Sequence, residues 1–179
     1  MNVEKVINNN LVRSRDTRNR EVLVMGCGLG FKKKPGDAID EDRIEKVYRL
    51  DSRNDLDAME TILASVPLEV LQALNDIVAY GKLSLHIELS DGLMVNLADH
   101  IAFALERHGQ GLDLSNALLS EIRSFYPHEY EIGMKALEII RKHTGSTLPR
   151  DEAGFIALQL LCFHTDRCWG AGRQRIQGC

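Results

Sequence analysis

Only four cysteines, four prolines and one tryptophan occur in 179 residues. Cysteines at Cys27, Cys162, Cys168 and Cys179 build no disulfide framework, and reduced thiols are the norm in the cytosol. No apolar run approaches the roughly 20 residues that cross a bilayer, so membrane insertion is not expected. The start, Met1-Asn2-Val3-Glu4-Lys5, has no apolar signal-peptide core, and the expected location is cytoplasmic. Phosphate loops, nucleophile elbows and paired catalytic carboxylates are also missing, so an enzyme is not expected. Asp99 and His100 are neighbours in sequence, and on a helix such neighbours point about 100° apart rather than at each other. Cys162-x-His164 followed by Cys168 does not have the paired spacing of structural zinc, so neither a metal nor a cofactor is expected.

What is present fits a soluble globular chain of one large or two small domains: 44% hydrophobic and 27% charged residues. The net charge of -4 hides a split: residues 1–55 carry 12 Lys and Arg against 10 Asp and Glu, and the remainder is acidic. Within that front section Met25-Gly26-Cys27-Gly28-Leu29-Gly30-Phe31-Lys32-Lys33-Lys34 stands out. Alternate glycines allow close approach to a backbone, and one aromatic beside lysines offers base stacking next to phosphate pairing. A dinucleotide loop would need a glycine where Phe31 stands. The bland alternative is a bent strand carrying a solvated lysine run.

Residues 1–50 read as short strands. Val3 to Ile7 ends in the turn-forming Asn8-Asn9-Asn10, and Leu11-Val12 and Glu21 to Met25 flank a polar hairpin loop. Arg43 to Leu50 alternates at period two, which suits an edge strand. So few large apolar residues argue that this unit needs a dimer partner. Polar residues 51–55 suggest a linker, and residues 56–66 continue it as a lead-in. From Pro67 the apolar spacing turns helical: a first stripe closed by Gly81, a second from Leu93 to Gly109, a third from Leu114 to Phe125, a fourth opened by Pro127 and stopped at Gly145, and a fifth from Pro149. The expected architecture is α+β by domain: a small four-stranded antiparallel β-sheet, dimeric, then an all-α five-helix bundle. The expected domains are 1–55, a linker over 56–66, a helical domain over 67–167 and an irregular tail over 168–179.

Val6-Ile7-Asn8-Asn9-Asn10, Met25-Gly26-x-Gly28-Leu29-x-Phe31-x-Lys33-Lys34-x-Gly36-Asp37 and Asp40-x-x-Arg43-Ile44-Glu45-Lys46-Val47 resemble the RNA-binding domain of transcriptional antiterminators of the BglG/SacY type. Leu97-Ala98-Asp99-His100-Ile101-x-Phe103-Ala104 is similar to that family's first phosphotransferase-regulation domain, the PTS regulation domain. So are Leu112-Asp113-x-x-Asn116-Ala117-Leu118-Leu119, Ile132-Gly133-x-x-Ala136-Leu137 and Leu148-Pro149-x-Asp151-Glu152-Ala153-Gly154-Phe155-Ile156-Ala157-Leu158. The resemblance runs in order over about residues 1–161.

It implies a homodimer that grips an RNA hairpin in nascent mRNA, keeps an overlapping terminator from forming, and lets polymerase read into a sugar-utilisation operon. The family's RNA face maps onto Lys5, Asn8, Asn10, Gly26, Gly28, Phe31 and Lys33. His100 maps onto its phosphoacceptor histidine, served by PTS phosphotransfer proteins such as HPr and a sugar permease enzyme II. A phosphoryl group there adds charge beside an apolar helix face.

Three departures stand out. Some relatives carry a basic residue where Cys27 stands, and a thiol cannot pair a phosphate. The family's Phe-Ile-Ala-Leu-His reads Phe155-Ile156-Ala157-Leu158-Gln159, so regulation through this domain rests on His100 alone; His164 lies on another helix face. The resemblance stops near Leu161, where the family normally continues into a second regulation domain; a natural short form, a frameshifted gene and an engineered piece all fit. The rival reading is a truncated module that dimerises and accepts phosphate without productive RNA binding.

Overall fold

The computed structural model describes residues 1–49, 53–86 and 91–164. The expected irregular tail and the side chain of His164 lie outside the described residues. The chain divides into two compact units, Met1–Leu71 and Gln72–Cys179.

In the first unit β1 (Val3–Val6), β2 (Leu11–Arg15), β3 (Glu21–Met25) and β4 (Lys46–Arg49) form one antiparallel sheet in sequence order, so β4 is an edge strand as its alternation suggested. Register follows side-chain alternation, because successive residues of a strand point to opposite faces. Val12 opposes Val24 and Ser14 opposes Val22. Val3, Val12, Val22 and Val24 then bury together with Leu29 and Ile39 beneath one face. The other face presents Leu11 opposite Met25, and Leu23 opposite Tyr48; all four are buried. Asp16 closes the β2–β3 turn by accepting the Arg18 and Arg20 backbone N–H groups on one oxygen and the Arg20 guanidinium on the other.

One expectation fails here. Arg53–Ser65, read as linker and lead-in, is a helix, α1, which packs against β3. Leu56, Met59 and Leu63 fall on one helical side at spacings of three and four, and all are buried. Burial contributes about 1.5–3 kcal/mol for each such side chain, enough to dock a helix whose remaining residues are mostly polar. The second sheet face is therefore covered, at least in part, from within the same chain.

Residues of the second unit supply five helices. These are α2 (Leu68–Leu85), within which the unit boundary falls, α3 (Asp91–Gly109), α4 (Leu119–Phe125), α5 (Pro127–Thr144) and α6 (Arg150–His164). Pro127 sits at the first turn of α5, and Gly145 ends it in a left-handed cap whose N–H reaches the Arg141 carbonyl. The first stripe does not close at Gly81, which is buried inside α2; a helix-interior glycine costs only about 1 kcal/mol, less than the flanking packing returns. The third stripe is helical only from Leu119. Before it, Asn116 accepts the Leu118 N–H on its own side chain and donates its backbone N–H to Asp151, which holds that stretch out of the helix. At the α5–α6 crossing Gly133 lets the helices close up: a Cβ there would lie 2.2 Å from the Ala153 carbonyl oxygen.

Candidate functional site

The glycine stretch folds into a tight loop over the asparagine turn. Gly26 donates to the Asn10 carbonyl, Gly30 to the Asn9 carbonyl, and Gly28 to the Asn10 side-chain oxygen at 2.9 Å. Asn10 in turn donates its backbone N–H to Asn8 Oδ1 at 2.8 Å. All three glycines serve this internal closure, and two of them have no room for a side chain. A Cβ on Gly26 would lie 1.8 Å from the Arg43 carbonyl oxygen, and one on Gly30 would lie 2.2 Å from the Asn8 carbonyl oxygen. Gly28 meets no such wall but has φ +65°. At Gly26 and Gly30 the close approach is made by the chain's own backbone.

Phe31 projects from this loop, 56% exposed, with Lys32 Nζ 5.3 Å from its ring centroid. The ring therefore stands on the surface of the unit rather than in its core. Lys33 Nζ donates to the Ala38 carbonyl at 2.9 Å. Cys27 is exposed, and its backbone N–H donates to Glu45 Oε1. Asn10, Gly26, Gly28 and Phe31 are therefore gathered on one loop-and-turn assembly.

Lys5 and Asn8 face a different neighbour. Lys5 Nζ donates to Glu60 Oε1 of α1 at 2.6 Å, and Asn8 Nδ2 donates to the Ala64 carbonyl at 3.3 Å. Across the strands from Lys5 stands Arg13, which sequence reasoning passed over; it is bound by Glu60 and Asp57. Burial works against the Arg13 charge, but the hydrogen bonds with Asp57 and Glu60 outweigh it and hold the guanidinium above its ordinary range.

In the helical unit His100 on α3 is largely buried, with Nε2 2.9 Å from Glu152 Oε2 of α6. The two are close but poorly aligned, since neither atom completes a hydrogen bond. Glu152 is 2% exposed, and its Oε1 accepts from Arg107 Nη2 at 2.9 Å. The His100 ring tilts against Phe155, with centroids 5.9 Å apart. Gln159, one turn beyond Phe155, keeps a buried Oε1 without a hydrogen-bond partner among the described residues. Glu152 and Arg107 were not singled out from sequence, because nothing in a helix's first turn marks a buried carboxylate. No group of three or more His, Cys, Asp or Glu among the described residues is placed to hold a metal. Nor is any helix among them long and apolar enough to cross a membrane.

A family model described as the CAT RNA binding domain matches residues 1–57, and one described as the PRD domain matches residues 75–162. The transcription antiterminator LicT of Bacillus subtilis is 45% identical over 161 residues, covering 90% of this chain and 58% of that protein. The beta-glucoside operon antiterminator of Dickeya chrysanthemi is 44% identical, covering 90% and 57%. The chain thus spans a little over half the length of these curated relatives. Among solved structures, the crystal structure of GlcT CAT-PRDI is 32% identical with a TM-score of 0.76, covering 90% of this chain and 96% of that one. Both modules are matched, in the same order and in three dimensions, and on that ground the chain belongs to the family of transcription antiterminators in which a CAT RNA-binding domain precedes a PRD.

Proposed function

We propose that this chain binds an RNA hairpin in nascent mRNA and so prevents an overlapping terminator from forming in a sugar-utilisation operon. The observation that carries the reading is the exposed Phe31 between the glycine loop and the lysines, on a loop braced by Asn8 and Asn10. Stacking on Phe31 is worth about 1–3 kcal/mol for a base, and lysines beside it pair phosphates. The names of the relatives, one an antiterminator of a beta-glucoside operon, support the same conclusion.

The finer picture has the protein acting in the cytoplasm as a homodimer, with Lys5, Asn8, Asn10, Gly26, Gly28, Phe31 and Lys33 on the RNA face. His100 receives the phosphoryl group from PTS proteins, HPr or a sugar permease enzyme II. A phosphoryl group on His100 Nε2 would meet the Glu152 carboxylate head-on, with Arg107 beside it as a counter-charge.

The test is a gel-shift titration of the full chain against its terminator-overlapping leader hairpin at two salt concentrations. Asn10→Ala and Phe31→Ala are each expected to weaken binding about tenfold or more, and added salt to weaken it throughout. A folded protein that ignores the hairpin would instead favour a phosphate-accepting module.

A further inference from the structure

We infer that α1 is an internal competitor for the RNA face, which a hairpin must displace to engage Lys5 and Asn8. The inference rests on the RNA-binding reading above and specifies how that site is controlled. Two of the side chains expected to touch RNA are already occupied by α1: Lys5 by the Glu60 carboxylate and the Asn8 amide by the Ala64 carbonyl oxygen. An ammonium held at 2.6 Å by a carboxylate and an amide spent on a carbonyl are chemically the contacts that a phosphate and a base edge would make. The acidic side of α1 therefore imitates the ligand.

Arg13 extends the argument. It lies opposite Lys5 in the β1–β2 register, and Glu60 bridges the two cations while Asp57 takes the outer side of the guanidinium. When α1 withdraws, Lys5 and Arg13 together form a two-cation patch facing the side α1 now covers. Arg13 thus becomes a further RNA-facing cation, its charge masked in this conformation. Release is feasible because α1 has only 13 residues, too short to persist as an isolated helix. It is held by Leu56, Met59, Leu63 and these carboxylates. The loop carrying Phe31 and Asn10 makes no use of α1 among the contacts described, so first encounter with a hairpin can precede displacement.

The experiment uses the full chain, as wild type and as the near-isosteric Asp57→Asn/Glu60→Gln variant, with a synthetic RNA copy of the leader hairpin. Removing the two competing carboxylates is expected to tighten binding about three- to tenfold and to steepen the salt dependence, since two cations are freed for phosphates. Hydrogen exchange on the wild type supplies the second arm: amides over residues 56–65 should exchange faster once the hairpin is added, and this holds whether or not the variant folds well. Wild-type binding that the variant leaves unchanged or weakens, or α1 amides that hold steady or gain protection with RNA, would overturn the inference while leaving RNA binding intact. Failure of both proteins to bind would instead remove the functional reading, and the inference with it.

Discussion

A single methyl group added at residue 26 would collide with the Arg43 carbonyl oxygen at 1.8 Å, and backbone cannot yield as a side-chain tip can. Gly26→Ala is expected to destabilise the first unit by about 2–4 kcal/mol in urea unfolding, with hairpin binding lost alongside. Gly36→Ala makes the contrast. There φ is +98° but nothing lies within 4 Å, so only backbone strain of about 1–3 kcal/mol opposes it, and RNA contacts stay in place. Asn10→Asp separates architecture from recognition. A carboxylate oxygen still accepts the Gly28 N–H, so unfolding should change little, whereas a negative charge on the proposed RNA face should cost about tenfold or more in affinity. In the second unit, His100→Asp sets a second carboxylate against buried Glu152. It should lower stability by about 1–3 kcal/mol relative to His100→Gln in the same denaturant series.

The elements differ in how openly the sequence announces them. Pro127 and Gly145 bracket α5 because each acts locally, one fixing φ at the first turn and the other accepting a left-handed cap. The four strands were visible for the same reason, through alternation and the Asn8-Asn9-Asn10 turn. Helix α1 was not: its three buried apolar residues are diluted by polar ones, and only the sheet face it covers makes the pattern meaningful. Nor could α4 be bounded, since Asn116, which holds the preceding stretch, is itself fixed by donating its backbone N–H to Asp151, far along the chain. The β2–β3 turn gives a pH test. Backbone N–H bonds from Arg20 and Arg18 and the Arg20 guanidinium hold the Asp16 carboxyl below its ordinary value. Its contribution is fully present above the unfolded-state value near ~3.9 and is lost as pH falls through the lower folded value. Asp16→Asn should therefore cost stability at pH 7 and make almost no difference below that folded value, as read by thermal unfolding across the acid range.

For the molecule as a whole, net charge is a poor guide to what it binds. A chain of net charge -4 has the cations proposed to face RNA concentrated in the first unit, some of them masked by its own carboxylates. That masking explains which parts of the site were legible. Gly28 and Phe31 lie within one short stretch and could be read together from it, whereas Asn10, 18 residues from Gly28, joined them only through the family resemblance. Arg13 and Glu60 meet only through strand register and helix docking, and Glu152 meets His100 only across α3 and α6, pairings that one sequence does not reveal. The loop itself has a thermodynamic consequence. Its backbone is already hydrogen-bonded to the Asn8–Asn10 turn before any ligand arrives, so the proposed hairpin ligand would meet a pre-organised loop. The entropy of ordering residues 26–31 was lost on folding, not on binding. Calorimetry should accordingly find little unfavourable entropy from this loop, and loosening it should weaken RNA binding even when every contacting side chain is kept.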